Sequence, residues 1–233
     1  AITGAGMSVE SGIPPFRGKG GLWEEYDPEE YAHISTFRRD PGKSWSLLKG
    51  MVEVIAQAKP NPGHLGLAEL ERLGYLDCII TQNVDGLHQL AGNTDVIEFH
   101  GNNRWLVCLD CGRRYRVDEV SLEEIPPMCA CGGNKLKPDA VFFGEPIPPE
   151  ALDRAYRVSS TCSVMLVIGT SAVIYPAASM PQVAKQSGAK VIEINPEATP
   201  FTGHISDYLI RGTAGEVMPL LVDRLRALSQ QGG

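Results

Sequence analysis

Short apolar runs rich in β-branched residues alternate along this chain with segments of helical character. The runs lie at residues 1–3, 76–81, 96–99, 164–168 and 191–194, and the clearest helical segments at 63–73, 150–159, 176–187 and 214–228. Continuous apolar runs of this length indicate strands buried on both faces, and strand–helix repeats connect parallel strands through right-handed crossovers. The sequence therefore predicts an α/β fold built on an open, doubly wound parallel sheet.

A polar or glycine-rich motif follows each of the five runs. In chain order the motifs read TGAG, TQNVD, FHG, GTS and INPE. The carboxyl ends of parallel strands lie at one edge of an open sheet, and ligands bind in the crevice outside that edge. We therefore expect the five motifs to converge on one ligand site although they are far apart in sequence.

The charge and the apolar content argue against two classes of partner. The net charge of −7 disfavours a broad phosphate-binding surface, so we expect no direct contact with nucleic acid. No apolar run approaches the roughly 20 residues that span a bilayer, so we expect no membrane contact. Six cysteines in 233 residues without a signal peptide favour a reducing cytoplasm over a secreted disulfide scaffold. The chain opens on Ala1 inside an apparent strand, so we expect the natural start to lie upstream.

Four cysteines in the middle of the chain form two close pairs. Cys108 and Cys111 enclose two residues, seventeen residues follow, and Cys129 and Cys131 enclose one residue. Four thiolates are a closed tetrahedral ligand set for zinc, which predicts a structural metal rather than a catalytic one. Four unrelated thiols, a redox pair and an iron–sulfur site are the alternatives, and the second pair is one residue shorter than the usual zinc knuckle.

Two stretches interrupt the alternation of strands and helices. Residues 104–138 are rich in Cys, Pro and Gly, contain short β-like pieces at 104–107 and 113–117, and predict an inserted zinc ribbon. Residues 19–59 lack strand alternation and contain a helix-like piece at 44–58, which predicts a helical insert next to a mobile cofactor-binding loop. The remaining segments, 1–18, 60–103 and 139–233, are assigned to the domain that carries the parallel sheet.

Glycine-rich turns follow the first and fourth runs. Gly4-Ala5-Gly6, with Gly12 further on, resembles a loosened dinucleotide fingerprint, in which small residues let backbone N–H groups approach a pyrophosphate. Gly169-Thr170-Ser171 offers a second small turn, and Asn195 after the fifth run is a candidate ribose ligand. Each turn taken alone is equally consistent with a purely structural role, so the prediction rests on their occurring together.

The second and third runs end in side chains that suit catalysis. Gln82-Asn83-Val84-Asp85 supplies amides and a carboxylate that can hold an amide ligand, although Asn and Asp are also ordinary helix caps. His100 follows the third run and precedes Gly101, which places it at the ligand edge. An imidazole with a near-neutral pKa is a natural general base there, and a structural histidine is the alternative.

Taken together, these motifs resemble one known family. The segments TGAGMSVESGIPPFRG, TQNVDGLH, FHG, the paired cysteines, FFGE, GTSAVIYPA, INPE and GTAGEV are similar, in this order, to those of the sirtuins, NAD-dependent protein deacylases. The resemblance covers nearly the whole chain. It implies a large Rossmann-like domain with a small zinc-ribbon and a helical module, and a peptide substrate bound in the cleft between them.

The resemblance also assigns roles to individual residues. It implies that NAD is contacted by Gly4, Ala5, Gly6, Ile13, Phe16, Arg17, Gln82, Asn83, Val84, Asp85, Gly169, Thr170, Ser171, Asn195 and Ala214. It makes His100 the general base and Asn83 a second catalytic residue. An acetylated lysine peptide is expected to add as a strand along Val141, Phe142, Phe143, Gly144 and Glu145 and along Val173, Ile174 and Tyr175.

The implied reaction transfers the acyl group of an acyl-lysine to ADP-ribose and releases nicotinamide. Members that prefer succinyl or malonyl lysine carry a Tyr-x-x-Arg pair, and residues 45–51 here contain none, so neutral acyl chains are expected. Pro15 stands where many members carry Asp, which implies a stiffer cofactor loop. Two alternatives remain open at this point: a mono-ADP-ribosyltransferase on the same fold, and a non-catalytic NAD-binding module.

Overall fold

A computed structural model describes residues 1–17, 20–171 and 173–231. The strands in these ranges are β1 (Ile2–Thr3), β2 (Ile79–Thr81), β3 (Val96–Glu98), β4 (Gly101–Cys108), β5 (Arg114–Arg116), β6 (Leu136–Ala140), β7 (Val164–Ile168), β8 (Lys190–Ile194) and β9 (Tyr208–Ile210). The α-helices are α1 (Leu22–Glu25), α2 (Pro28–Tyr31), α3 (Ile34–Arg39), α4 (Pro41–Gln57), α5 (Pro62–Arg72), α6 (Leu87–Ala91), α7 (Pro149–Thr161), α8 (Ser179–Gln186) and α9 (Ala214–Gln231). Within these helices nothing combines the length and hydrophobicity needed to cross a bilayer.

Six strands form one parallel sheet in the order β3-β2-β1-β7-β8-β9. The chain fills the sheet outward from β1 in one direction and then from β7 in the other, so the strand order reverses between these two central strands. The predicted doubly wound parallel sheet is confirmed, and its switch point lies between β1 and β7.

Side chains that alternate along the strands build a core on each face of this sheet. Ile80 and Val167 point to the face covered by α7 and α8. Ile79 and Ile168 point to the opposite face, covered by α5 and α9. Because both faces are covered, the strands read as unbroken apolar runs, which is why the sequence revealed them.

The sixth strand, β9, is absent from the sequence-based prediction. It is only three residues long and lies at the edge of the sheet, where Tyr208 is 60% exposed. Asp207, directly before it, accepts a hydrogen bond from the backbone N–H of Val191 at 2.9 Å and fixes the edge strand against β8. Its residues are apolar, but a run of three is too short to indicate a strand by itself.

A three-stranded antiparallel sheet of order β5-β4-β6 contains the cysteine pairs. The two predicted strand pieces of this insert correspond to β4 and β5, while β6 is a third strand that the sequence did not indicate. β6 pairs with β4 from Gly101 opposite Ala140 to Cys108 opposite Leu136. The residue boundaries of the three predicted domains stay predictions, and Gly18 and Lys19, where the helical insert is predicted to begin, lie outside the described residues.

The helical segment and the small sheet share one core. Trp45 of α4 is fully buried and packs with Leu106 of β4 and Phe142. Its indole Nε1–H donates a hydrogen bond to the carbonyl oxygen of Leu136 at 2.8 Å. α4 begins three residues before the predicted helix because Asp40 accepts a hydrogen bond from the N–H of Lys43 at 3.1 Å and caps it.

Two histidines are buried side by side between α5 and α6. The His64 and His88 rings are at most 1% exposed, and their centroids lie 4.9 Å apart. The N–H of Asn61 donates to His64 Nδ1 at 3.3 Å, while His88 Nε2 lies 2.9 Å from Thr3 Oγ1. Burial lowers the pKa of His64 to about 4 and the pKa of His88 to about 3, so both rings are neutral at pH 7.

This burial predicts a loss of stability in mild acid. The unfolded chain takes up protons near pH 6.5 whereas the folded rings take them up only near pH 4 and pH 3. Stability is therefore complete above pH 6.5 and falls as the pH drops toward 4, by about 2 kcal/mol per histidine at pH 5. Urea unfolding at pH 7 and pH 5 measures this difference.

The matched variants are His88→Gln and His204→Gln. His204 lies exposed in a surface loop, so its replacement is expected to leave the difference between the two pH values unchanged. His88→Gln is expected to shrink that difference by about 2 kcal/mol. A difference as large in His88→Gln as in the unmodified chain would show that the buried pair does not carry the pH dependence.

Candidate active site

The backbone segments after β1 and β7 touch one another at the switch point. The N–H of Gly6 donates to the carbonyl oxygen of Gly169 at 2.8 Å, and the N–H of Gly4 donates to the carbonyl oxygen of Ile168 at 3.1 Å. A Cβ atom on Gly6 would lie 2.8 Å from that Gly169 oxygen, and one on Gly4 would lie 2.8 Å from Thr170 Cβ. Glycine is required at both positions because any side chain would push the two turns apart.

Asn83 is held against the first glycine turn by its amide group. Its Nδ2 donates to the carbonyl oxygen of Gly4 at 3.0 Å and to Ser8 Oγ at 3.1 Å. Its backbone N–H donates to Thr81 Oγ1 at 3.1 Å. Both amide hydrogens are used inside the protein, which fixes the side chain and leaves Oδ1 as the atom that can contact a ligand.

Asp85 holds Ser8, one of the partners of Asn83, in place. Its Oδ2 accepts a hydrogen bond from Ser8 Oγ at 2.7 Å, and its Oδ1 accepts one from the N–H of Leu87 at 2.9 Å, at the start of α6. Burial raises the pKa of the Asp85 carboxyl, and these hydrogen bonds oppose the rise. The carboxylate thus links the loop after β1 to the loop after β2.

His100 lies directly after β3, at the carboxyl edge of the sheet. Its Nδ1 is 3.1 Å from the carbonyl oxygen of Gln82. A carbonyl oxygen only accepts, so Nδ1 carries the hydrogen and Nε2 of the neutral ring is free to accept a proton. Burial lowers the pKa of His100, which favours the neutral ring, the form that can accept a proton.

Asn83, His100 and the two glycine turns surround one cavity of about 800 Å³. It is lined by the predicted residues Gly4, Ala5, Gly6, Phe16, Arg17, Gln82, Asn83, Val84, His100, Val141, Phe142, Phe143, Gly144, Glu145, Gly169, Thr170, Ser171, Ile174, Tyr175 and Asn195. A volume of this size is enough for a dinucleotide-sized ligand to enter in part or whole. All five polar motifs contribute to it, so the predicted convergence at the sheet edge is present in the structure.

Four of the predicted residues do not line the cavity in the part of the chain that the structure describes: Ile13, Asp85, Val173 and Ala214. Asp85 is turned toward Ser8 and α6, as above. Ala214 is the first residue of α9 and is packed so closely on α5 that a Cβ on Gly63 would lie 2.8 Å from its own Cβ. Ile13 and Val173 lie on loops beside the cavity, and Val173 is 46% exposed. Their roles stay predictions.

Sequence reasoning missed several lining residues, and two groups of them each come from one element or loop. The first is the loop after β8, from Glu197 to Pro200, which is fixed by a hydrogen bond from Thr199 Oγ1 to the Glu193 carboxylate. Thr202 and Ser206 donate to the same carboxylate at 2.7 Å and 3.1 Å. The acidic residue of the INPE motif was the available signal for this loop. The second is an apolar face of α4 formed by Leu47, Leu48 and Met51, and nothing local distinguishes it from ordinary core residues.

An aromatic chain connects the two sides of the cavity. Phe16 stacks on Trp23 with ring centroids 5.5 Å apart, and Trp23 meets Phe143 edge-on at 6.1 Å. Trp23 is itself part of the cavity lining. The loop that carries Phe16 is therefore in contact, through one indole ring, with the segment predicted to bind peptide.

The four cysteine sulfurs have the arrangement that zinc requires. All four Sγ atoms lie within 4.8 Å of one another, with Cys108 to Cys131 at 3.8 Å and Cys111 to Cys129 at 3.7 Å. Four sulfurs at about 2.3 Å from a tetrahedral zinc ion are about 3.8 Å apart. The one-residue spacing of the second pair therefore accommodates the metal, and Tyr115 Oη lies 3.2 Å from Cys129 Sγ as an outer partner.

Comparison with known proteins agrees with this geometry. Residues 4–176 match the model of the Sir2 family, the sirtuins. The chain belongs to the Sir2 family. A curated relative, NAD-dependent protein deacylase 2 of Pyrobaculum aerophilum, is 51% identical over 225 residues, which cover 97% of this chain and 90% of the relative.

Two solved structures show what related chains bind. A mutant Sir2 homologue in complex with ADP-ribose superposes with a TM-score of 0.92 at 50% identity and covers 98% of this chain and 92% of its own. A Sir2 complex with a p53 peptide and NAD+ has a TM-score of 0.87 at 37% identity and covers 96% and 91%. The resemblance to the sirtuins, first based on motifs alone, is confirmed.

Zinc loading gives a test that is independent of catalysis. Cys131→Ser removes one of four ligands and is expected to weaken zinc binding by at least about 100-fold. Because Cys108 and Cys129 also belong to the core around Trp45, the thermal unfolding midpoint should fall with the zinc content. Elemental analysis after dialysis against a chelator, paired with calorimetry, measures both.

Cys162→Ser is the matched control, since this half-buried thiol lies outside the cluster. It is expected to retain one zinc per chain and the midpoint of the unmodified protein. Full zinc retention by Cys131→Ser would argue against the four-thiolate site.

Proposed function

We propose that this Sir2 family member is an NAD-dependent protein-lysine deacetylase, which transfers the acyl group of an acyl-lysine to ADP-ribose and releases nicotinamide. The observation that carries the proposal is the position of Asn83 and His100 in one cavity with the paired glycine turns. An amide with a fixed orientation and a neutral imidazole meet there beside a backbone cradle for a pyrophosphate. The name of the Pyrobaculum relative, NAD-dependent protein deacylase 2, supports the same activity.

The glycine turns are assigned to the NAD phosphates and riboses. Gly4 and Gly6 keep the loop after β1 free of side chains, and Thr170, Ser171 and Asn195 offer polar groups from the opposite side. Asn195 is itself oriented, because its Nδ2 donates to the carbonyl oxygen of Thr170 at 3.0 Å. When bound, NAD supplies a ribose carbon from which nicotinamide can leave. The protein's part is to bind it, exclude water and hold a base nearby.

His100 is assigned as that base. Its Nδ1–H is anchored on the carbonyl oxygen of Gln82, so Nε2 accepts a proton from a ribose hydroxyl. The anchoring bond becomes stronger when the ring is charged, which helps the ring to keep the proton until it is passed on. Asn83 is assigned to hold the reacting end of the cofactor through its Oδ1.

The peptide is assigned to the segments 141–145 and 173–175, between which an extended chain adds as a strand. Val141 and Phe143 are fixed from behind, since their N–H groups donate to the carbonyl oxygens of His100 at 2.8 Å and of Ala32 at 3.0 Å. Tyr175 is 65% exposed on the other side. Main-chain bonding gives affinity with little demand on peptide sequence.

The acyl-lysine side chain is assigned to the apolar part of the cavity. Val141, Phe143 and the α4 residue Met51 line it, and a neutral acyl-lysine enters such a lining without the desolvation penalty that a charged lysine would meet. The net charge of −7 supports protein substrates over nucleic acid or anionic membranes. The reduced thiols that zinc needs support a cytoplasmic location.

The function is tested by the products and by His100→Ala. With NAD and an acetyl-lysine peptide, the unmodified protein should form O-acetyl-ADP-ribose in step with deacetylated peptide. His100→Ala should bind NAD normally but form product at least about 100-fold more slowly, because the base is missing. Mass spectrometry of the products and calorimetric titration with NAD provide the two readouts.

His204→Ala, in an exposed loop, serves as the control and should retain full activity. Protein that carries ADP-ribose, formed without O-acetyl-ADP-ribose, would identify a mono-ADP-ribosyltransferase instead. Nicotinamide release no faster than background from a folded, zinc-loaded sample would identify a binding module. Full activity of His100→Ala would exclude this residue as the base.

The apolar face of α4 predicts the acyl preference. Leu47, Leu48 and Met51 offer no cation to a carboxylate at the end of the acyl chain, so a succinyl group would enter unpaired. We expect kcat/KM for an acetylated peptide to exceed that for the matched succinylated peptide by at least about 100-fold. Competition between the two peptides in one reaction measures the ratio, and equal turnover would contradict the assignment.

A further inference from the structure

A buried lysine lies behind the segment assigned to the peptide. Lys137, on β6, is 5% exposed, and its ammonium group is surrounded by oxygen atoms. Nζ donates to the carbonyl oxygens of Pro138 at 3.0 Å and Ala140 at 2.7 Å, and it pairs with Glu145 Oε2 at 3.1 Å. It also lies 4.5 Å from the centroid of the Phe142 ring. Lys137 does not itself belong to the cavity lining.

Glu145 connects Lys137 to the segment assigned to the peptide. The same oxygen that pairs with Lys137 accepts a hydrogen bond from the N–H of Phe142 at 2.9 Å. The ammonium group therefore contacts the end of β6 directly and contacts the middle of the next segment through one carboxylate. Residues 140–145 are folded around a single buried charge.

The backbone of the turn at Gly144 has little freedom to move. Gly144 has a φ of +80°, and a Cβ there would lie 2.6 Å from His33 Nε2. From the same side, the N–H of Ile34 donates to the carbonyl oxygen of Phe143 at 2.9 Å. The segment is thus bounded by α3 on one side and by Lys137 on the other, and its free edge has one available shape.

Burying an ammonium group is costly unless each of its hydrogens finds a partner. Here two carbonyl oxygens, a carboxylate and an aromatic face supply those partners. An apolar side chain would fill the same space but would leave the Glu145 carboxylate and the two carbonyl oxygens without this partner, so the charge is explained by what it holds in place. What it holds is the backbone of the peptide segment.

We propose that Lys137 is a positioning residue for substrate recognition, which acts through Glu145 and the carbonyl oxygens of Pro138 and Ala140. It fixes the edge of residues 141–145 so that the N–H and C=O groups of an incoming peptide meet partners already in place. This proposal rests on the strand addition proposed above. It assigns to the small sheet a part in substrate affinity and none in the chemical step.

The test compares two substrates of one reaction. One is an acetyl-lysine peptide long enough to add a strand, and the other is Nε-acetyl-lysine with blocked termini, which offers almost no strand. For Lys137→Met we expect the KM of the peptide to rise about tenfold, while the KM of NAD and the kcat/KM of the blocked amino acid stay within about twofold. Lys137→Arg, which keeps the charge, should recover most of the peptide affinity.

Two further variants guard the interpretation. Lys135→Met removes a neighbouring lysine whose partner is the half-exposed Asp110, and it should change none of these values. Glu145→Gln keeps the size of the side chain but removes its charge. It should raise the KM of the peptide, as Lys137→Met does. It provides the second measurement if Lys137→Met does not fold.

The possible outcomes distinguish failure of the Lys137 role from failure of strand addition and from failure of the proposed deacetylase function. Lys137→Met could lower kcat/KM equally for the peptide and the blocked amino acid, or lower it for neither. Either result would overturn the positioning role while leaving the deacetylase assignment intact. Equal kcat/KM for the two substrates in the unmodified protein would overturn strand addition, and the role of Lys137 with it. Absence of any NAD-dependent deacetylation would overturn the proposed function itself.

Discussion

The close approach of Gly6 to Gly169 is the constraint on which the rest of the site depends. It joins the turn after β1 to the turn after β7 by a 2.8 Å hydrogen bond, at the point where the strand order reverses. Other motifs are tied to the same place: Asn83 to the carbonyl oxygen of Gly4, and Asn195 to that of Thr170. Four loops from distant parts of the chain are thereby fixed relative to one another before any ligand binds, which is the preorganisation that catalysis requires.

The opposite wall depends on a different core. Trp45 joins α4 to the small sheet by packing and by its hydrogen bond to Leu136, and Cys108 and Cys129 belong to the same cluster. A metal at the four thiolates would therefore stabilise the wall to which the peptide is assigned. A closed set of four thiolates leaves no open coordination position, so the site suits a structural metal.

How far the sequence predicts this structure depends on whether a signal is local. Buried strands such as β7 and the polar residues that end them are visible in the sequence, and the geometry of a parallel sheet brings them together. β6 and β9 escaped because one follows a Cys-, Pro- and Gly-rich insert and the other is a three-residue edge strand. The α4 face at Met51 enters the cavity only through tertiary packing, so no local pattern separates it from ordinary core residues, and the loop at Glu197 is signalled only by the acidic residue of the INPE motif.

Histidine burial shows why a shifted pKa does not by itself identify a catalytic residue. Burial lowers the pKa of His64, His88 and His100 alike. The first two rings face each other in the core, and their neutrality is a requirement of folding. Only His100 among these three both lines the cavity and has its Nδ1 anchored on a backbone carbonyl, which leaves Nε2 for a substrate. The same desolvation thus opposes protonation of the two core histidines and keeps neutral the ring that is proposed as the base, and contact with the cavity distinguishes the two cases.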